Sequence, residues 1–195
     1  MKDISYIEYQ KITRETSGCD DLPVLALGLV GETIEFWSAL NHVYGFGINV
    51  SMTAAIESVT REAGDVLWYS SRLMDVLGLP FHQWQGMGTV DNFNNPCMKT
   101  LQRKFRIIER AGSVAEHVKK VFGHGHEIDS DLICSAIGDV VCDVAYVLKC
   151  LHGKDGIKIA MQTNIEKLKK RYPDGFSIEK SVNRHSERRV RIDQV

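Results

Sequence analysis

Residues 59–77 read VTREAGDVLWYSSRLMDVL, and this stretch decides the fold class. Its apolar residues return every three or four positions, a period that marks one face of an α-helix. A second stretch at 132–151, LICSAIGDVVCDVAYVLKCL, shows the same period. The chain has no alternating strand pattern of any length, so we expect an all-α protein. The apolar face of the first stretch comprises Val59, Ala63, Val66, Leu67, Leu73, Met74 and Leu77.

The same period predicts further helices on both sides of these stretches. Asp20 and Asp21 before Pro23 are typical of a helix start, and Gly78 and Gly153 are typical of helix ends. The Gly- and Asn-rich segment 85–97 reads as a connector, and 178–195 reads as a polar, locally basic tail. The predicted helices lie near 4–16, 23–43, 52–78, 98–121, 129–152 and 155–171.

A weak internal repeat organises these helices. The decapeptide GETIEFWSAL at 31–40 aligns with GSVAEHVKKV at 112–121, and EAGDVLWY at 62–69 aligns with AIGDVVCD at 136–143. One helical hairpin cannot bury its apolar face alone, so two copies predict a core that resembles a four-helix bundle. We therefore expect a single domain over 1–195, built from two degenerate hairpin repeats. The pseudo-repeats span about 22–84 and 104–176.

Composition limits the function classes. The 195 residues are 44% hydrophobic and 25% charged, which is typical of a globular domain. Lys and Arg number 24 against 25 Asp and Glu, so no global basic field favours nucleic acid or an anionic membrane. No long apolar run predicts a membrane span, and the N-terminus does not resemble a targeting signal. Five cysteines without a Cys-x-x-Cys pair predict neither a disulfide framework nor a zinc site. These features favour the cytoplasm of a bacterium or of a virus-infected host.

Two pairs of acidic residues interrupt the apolar stretches of the first repeat. Glu32 and Glu35 are three residues apart, as are Glu62 and Asp65, so each pair lies on one helix face. Like charges beside a core are costly unless a cation joins them. An all-oxygen set of four carboxylates suits Mg²⁺, with Mn²⁺ able to substitute. The spacing therefore predicts a metal site.

Other interpretations of the acidic residues remain open at this point. They could be solvated charges on helix surfaces, which is the ordinary explanation of a single Glu-x-x-Glu pair. A di-iron bundle would need Glu-x-x-His on two helices, which neither pair provides. A glycosidase pair of carboxylates fits four acids on a helical bundle poorly. In the second repeat only Glu116 and Asp139 keep the aligned carboxylates, so we expect that copy to have lost its metal.

Basic residues follow in the second repeat. Lys119 ends its first helix, and Asn164, Lys167 and Arg171 fall three and four residues apart on one face of the last helix. An amide and two cations in a row suit phosphate oxygens. A solvated basic face is the alternative. We therefore take Lys119, Asn164, Lys167 and Arg171 as candidate substrate-binding residues.

These motifs together resemble a known family. The segments that carry the likeness are EYQKI (8–12), LALGLVGETIEFW (25–37), REAGDVLWYSSRLMDVLGL (61–79), KKVFGHGHEID (119–129) and NIEKLKKRYPDGFSIEKSVNR (164–184). They resemble the MazG-like nucleoside triphosphate pyrophosphohydrolases, and the duplicated arrangement resembles the related dimeric dUTP/dCTP pyrophosphatases. The likeness touches most of the chain.

The resemblance implies an all-α, Mg²⁺-dependent enzyme that cleaves a nucleoside triphosphate to the monophosphate and pyrophosphate. The family's metal ligands would fall on Glu32, Glu35, Glu62 and Asp65. Its phosphate contacts would fall on Asn164, Lys167 and Arg171.

Several expectations follow from this assignment. Glu35, with Glu32 beside it, is the candidate for orienting or deprotonating the attacking water.

We expect a homo-oligomer, either a dimer or a tetramer, because leftover apolar faces of helical hairpins usually pair. Candidate substrates are dGTP, dUTP and dCTP, and a non-catalytic nucleotide-binding or scaffold bundle is the alternative. Binding of nucleic acid through the basic tail is a weaker alternative.

Overall fold

The all-α expectation is confirmed. The computed structural model describes residues 4–44, 50–86 and 96–173, and of these it describes 85, 86 and 96–101 by their backbone alone. Within these residues the chain forms helices and no strand, including short 3-10 helices at 81–86 and 153–155. The α-helices are α1 (Tyr6–Glu15), α2 (Leu22–Val43), α3 (Met52–Val76), α4 (Pro96–His124), α5 (Ser130–His152) and α6 (Gly156–Arg171).

The predicted start and stop signals act as expected. The Asp21 side chain caps α2 by accepting a hydrogen bond from the backbone N–H of Val24 at 3.0 Å. Gly78 follows α3 with φ at 72°, and Gly153 ends α5 with φ at 73°. A side chain with a Cβ rarely adopts this left-handed backbone, so glycine ends each helix at low cost.

Four helices enclose the core. α2 packs against α3 and α4, α5 packs against α3 and α4, and their apolar faces form one continuous buried cluster. α6 lies against α3 and α5, while α1 lies against α3. The core is therefore bundle-like, and α3 is the helix that meets both outer helices. The first pseudo-repeat spans α2 and α3, and its relation to the second stays a prediction from the sequence.

A network of charges holds the segment between α1 and α2 against α3. The guanidinium of Arg72 is 1% exposed and pairs with Asp75 on its own helix and with Asp20 ahead of α2. Arg14 of α1 donates to the same Asp75 through its Nε at 2.9 Å. Both arginines hold the pKa of Asp75 below its usual value. This network fixes where α2 begins relative to α3.

Three further expectations concern a membrane span, the cysteines, and the connector and tail. Among the described residues α2 is long and apolar enough, by length and composition, to cross a membrane, whereas no such segment is expected from the sequence. Buried helices of globular proteins share this length and composition, and α2 packs in the core. Cys19, Cys134, Cys142 and Cys150 are free thiols. Most of the predicted connector and the whole tail at 178–195 lie outside the described residues.

Candidate metal centre

The packing of α2 against α3 brings the predicted carboxylates together. Glu32 and Glu35 lie one turn apart on α2, and Glu62 approaches from α3. One carboxylate oxygen of each residue lies within 4.8 Å of one from each of the others. Glu62 is buried, Glu32 is half-buried and Glu35 is exposed, so the cluster opens toward solvent on the α2 side.

Burial and the neighbouring acids change the protonation of Glu32. Burial first, and then the nearby charges of Asp65, Glu35 and Glu62, raise the pKa of Glu32 from 4.5 to about 8, while the charge of Lys167 opposes the shift. Glu32 therefore holds a proton at neutral pH when no cation is present. Three acids at this separation form a site with an excess of negative potential, which a divalent cation would relieve.

Asp65, the fourth predicted ligand, lies beside this cluster and is held by α6. Its Oδ1 accepts a hydrogen bond from Asn164 Nδ2 at 2.7 Å and another from the ammonium of Lys167. Burial raises the pKa of Asp65, and the charge and hydrogen bond of Lys167 oppose that shift. The structure thus brings three of the four predicted ligands together, while the fourth, Asp65, is paired with Lys167.

Glu62 also has a cationic neighbour. The guanidinium of Arg61 donates to Glu62 Oε1 through Nε at 3.1 Å and through a terminal nitrogen at 2.8 Å. Arg61 is the adjacent residue on α3, and its side chain is about half exposed. The pair leaves the second carboxylate oxygen of Glu62 without a described hydrogen bond. Neither Arg61 nor its pairing was anticipated from the sequence.

The donor set of this centre fits a hard divalent cation. Every candidate ligand atom is a carboxylate oxygen, which suits Mg²⁺ or Mn²⁺ better than a soft metal. Burial and the charges of the neighbouring acids both raise the pKa of Glu32, and a cation bound among these oxygens would oppose both effects. Glu32, Glu35 and Glu62 are the residues that would hold the ion, with Asp65 at the edge of the set.

The four predicted substrate-binding residues have different environments. Lys167 lies at the centre, bound to Asp65, and the charge of Arg171 also lowers the pKa of Asp65. Asn164 is 1% exposed, and its amide is already engaged within the protein. Lys119 pairs with Glu116 on its own helix at 2.6 Å, and no described contact joins it to the α2–α3 carboxylates. The structure therefore brings Lys167 into contact with Asp65 and places Arg171 near enough for its charge to act on that residue, whereas Lys119 lies apart.

A buried tyrosine completes the link between α3 and α6. The hydroxyl of Tyr9 in α1 lies 3.2 Å from the backbone oxygen of Gly64 and 3.3 Å from Asn164 Oδ1. Tyr9 is fully buried, and burial raises the pKa of its phenol well above the ordinary value. Sequence reasoning missed this residue because its partners lie 55 and 155 positions away.

Aromatic side chains line the neighbourhood of the carboxylates. The rings of Trp68 and Tyr69 meet edge to face with centroids 4.9 Å apart, and Trp68 Nε1 donates to Thr16 Oγ1 at 3.0 Å. A Cβ at Gly28 would lie 2.1 Å from the Tyr69 ring, so this ring lies directly against α2. Both rings pack within the protein, Trp68 against α1's C-terminal end at Thr16 and Tyr69 against α2. Trp37 lies elsewhere, under the buried ammonium of Lys104.

The second hairpin carries no comparable centre within the described part of the chain. Asp139, the residue aligned with Asp65, pairs with Arg110 at 3.0 Å. Glu116 lies on the surface beside Lys119 and Lys120. The fully buried Asp143 accepts from both Arg103 and Arg106, with Arg106 Nε at 2.6 Å. In this hairpin, arginines on α4 supply the positive charge that acids on α5 require.

Comparisons with protein-family models, with curated proteins and with solved structures found no match to this chain.

Proposed function

We propose that the protein is a Mg²⁺-dependent hydrolase that cleaves a nucleoside triphosphate between its α- and β-phosphates. The products would be a nucleoside monophosphate and pyrophosphate, and the role would be to shape or clean the nucleotide pool. The observation that carries the proposal is the convergence of Glu32, Glu35 and Glu62 within 4.8 Å. The reaction class rests on the resemblance of the surrounding motifs to the MazG-like family.

The surroundings of the acidic cluster also support this proposal. Lys167 and Arg171 of α6 lie close enough to act on Asp65, so cationic groups stand at the edge of the carboxylates. A site that holds a metal and a polyphosphate needs both charge types next to one another. The half-buried and exposed carboxylates of α2 leave an approach from solvent.

The protein's own residues would perform most of the chemistry. A bound Mg²⁺ supplies charge neutralisation and increases the acidity of water. Glu35, the most exposed acid of the cluster, would orient or deprotonate the water that attacks phosphorus, with Glu32 as the second candidate. Lys167 and Arg171 would neutralise the charge that develops on the leaving pyrophosphate.

Product analysis tests the proposal directly. The purified chain is incubated with a panel of NTPs and dNTPs with Mg²⁺, Mn²⁺ or EDTA, and the products are separated by anion exchange. Monophosphate with pyrophosphate, lost in EDTA and in Glu62→Gln, is the expected result. Glu57→Gln is the matched control because Glu57 lies on the exposed face of the same helix.

Other products, or binding without turnover, would contradict the proposed reaction. Diphosphate with orthophosphate would assign a different scissile bond and overturn the mechanism. Nucleotide binding without metal-dependent turnover would favour the alternative, a binding or scaffold bundle. The fastest substrate among dGTP, dUTP and dCTP would identify the base.

A further inference from the structure

We propose that Tyr9 of α1 is a positioning residue for the metal centre and that it acts on Asp65 through Asn164. This inference rests on the proposed metal-dependent function and deepens it. It assigns a role to the first helix, which contributes no carboxylate to the centre. It also changes the role expected for Asn164 from substrate contact to support of a ligand.

The hydroxyl of Tyr9 is placed for this role by a fully buried ring. Tyr9 is 0% exposed, and its ring packs against Phe81 with centroids 5.9 Å apart. A phenol enclosed in this way must hydrogen-bond within the protein, because an unpaired buried hydroxyl is costly. The described acceptors are Gly64 O at 3.2 Å and Asn164 Oδ1 at 3.3 Å, one on each neighbouring helix.

The orientation of the Asn164 amide follows from the chemistry of its partners. Asp65 is a carboxylate and needs a donor, so the amide nitrogen faces Asp65 Oδ1 at 2.7 Å. The amide oxygen then faces the Tyr9 hydroxyl, whose single O–H is shared between this oxygen and the backbone oxygen of Gly64. A reversed amide would set its oxygen against the carboxylate. Asp65 therefore selects the amide orientation, and the hydrogen bond from Tyr9 to Oδ1 stabilises it.

Close approach of two helices makes the link possible. A Cβ on Gly64 would lie 2.8 Å from Asn164 Cβ and 2.9 Å from the backbone oxygen of Ala160. Glycine at this position lets α6 contact α3 directly, next to Asp65. Gly64 also offers its backbone oxygen to the hydroxyl of Tyr9. Tyr9, Gly64 and Asn164 thus form one buried unit behind Asp65.

This unit engages one oxygen of Asp65 and leaves the other without a described hydrogen bond. Asn164 and Lys167 both donate to Oδ1, while Oδ2 receives no hydrogen bond from the described residues. Lys167 is a part-exposed cation, whereas Asn164 is 1% exposed and is hydrogen-bonded at both ends of its amide. Because Oδ1 is engaged by both residues, Oδ2 is the oxygen of Asp65 that would be free to reach a cation held by the three glutamates. Outer-shell hydrogen bonds of this kind orient metal ligands in proteins.

The test compares two tyrosines of α1. Tyr9→Phe removes only the hydroxyl and keeps the buried ring. Tyr6→Phe is the matched control, since Tyr6 packs edge to face on Trp84 and its hydroxyl has no described hydrogen-bond partner. Mn²⁺ affinity is measured without nucleotide by the electron paramagnetic resonance signal of free Mn²⁺. We expect Tyr9→Phe to weaken binding by roughly tenfold, as for other outer-shell partners, and Tyr6→Phe to leave it unchanged.

A second background tests the route through Asn164. In Asn164→Ala, adding Tyr9→Phe should weaken Mn²⁺ binding no further, because the connecting amide is gone. Equal losses with and without Asn164 would overturn the route. Unchanged Mn²⁺ affinity in Tyr9→Phe, or an equal loss in Tyr6→Phe, would overturn the positioning role itself.

A readout that needs no metal separates this inference from the proposed function. The side-chain amide protons of Asn164 should give a distinct, slowly exchanging NMR signal, which Tyr9→Phe shifts and Tyr6→Phe does not. If wild-type protein binds no Mn²⁺, the metal-dependent function fails while this signal still reports the link to Asp65. If Mn²⁺ binds but the Asn164 signal is the same in Tyr9→Phe, the function stands and the role of Tyr9 is overturned.

Discussion

The side-chain amide of Asn164 donates to Asp65 across 2.7 Å, although the two residues lie 99 positions apart in the chain. This contact ties the last described helix to the helix that carries half of the predicted metal ligands. It buries an amide that the sequence pattern assigned to the substrate. Five predictions follow from this arrangement and from the charges around it.

Replacing Glu62 with Gln should abolish Mn²⁺ binding and metal-dependent turnover. Glu62 is the buried member of the cluster and its ligand from α3. A neutral amide at this position removes one negative charge and one of the two oxygens that could bind the ion. The helical circular dichroism spectrum should stay largely intact. Glu57→Gln should behave like the wild type. Normal turnover in the Glu62 variant would remove this residue from the centre.

The metal-free protein should lose stability as the pH rises from about 4.5 to 8. In that window the folded protein keeps a proton on Glu32, whose pKa is raised to about 8, while the unfolded chain releases it at its ordinary value of 4.5. The folded state binds more protons, so the free energy of unfolding falls with increasing pH. Asp65 has a raised pKa and contributes with the same sign.

Thermal melting in EDTA across this pH range measures the effect. Glu32→Gln resembles the protonated acid, so its melting temperature should change less with pH than that of the wild type. A variant as pH-sensitive as the wild type would show that Glu32 is not the titrating group.

Gly64→Ala should destabilise the fold and displace α6 from its contact with α3. The new Cβ would approach Asn164 Cβ to 2.8 Å and the backbone oxygen of Ala160 to 2.9 Å, so α6 must shift. We expect a loss of about 1–3 kcal/mol in the free energy of unfolding, as for other overpacked contacts. Urea denaturation measures it.

Gly112→Ala is the matched control for that change. No described atom lies within 4 Å of a Cβ at this helical position. Alanine is the better helix former, so this variant should gain about 0.5–1 kcal/mol. A Gly64 variant that also gains stability would contradict the packing of α6 described above.

Lys167→Met should lower turnover about a hundredfold, the usual loss when one group that stabilises transition-state charge is removed. Lys167 binds Asp65 at the centre, whereas Lys170 is exposed on the same helix. Lys170→Met should therefore keep wild-type rates of pyrophosphate release. Equal rates in the two variants would exclude Lys167 from the reaction.

Asp143→Asn should be strongly destabilising without a direct effect on the metal centre. Asp143 is fully buried and binds the guanidinium groups of Arg103 and Arg106, so the change removes the buried negative charge that both cations contact. Removal of one partner of a buried pair costs about 3–5 kcal/mol. Urea denaturation should show this loss, while Glu109→Gln on the exposed face of α4 should stay within about 0.5 kcal/mol of the wild type.

The sequence by itself determined the helices and which acids share a helix face. Apolar residues recur with the helical period, and Asp21, Gly78 and Gly153 mark helix boundaries through local backbone chemistry. The spacing of Glu32 and Glu35 puts both on one face for the same local reason. Such features depend on neighbours within a few residues, so they can be predicted without knowledge of the packing.

Only the tertiary structure decided how the helices support the centre. Lys167 and Asn164 share the face of α6 predicted to contact phosphate. Asn164, however, is buried, and its amide is hydrogen-bonded to Tyr9 and Asp65 within the protein. Lys119 has the same basic chemistry, but its described partner is Glu116 on its own helix. These outcomes depend on which helices meet and how closely, because hydrogen bonds between distant residues form only after packing has brought them together.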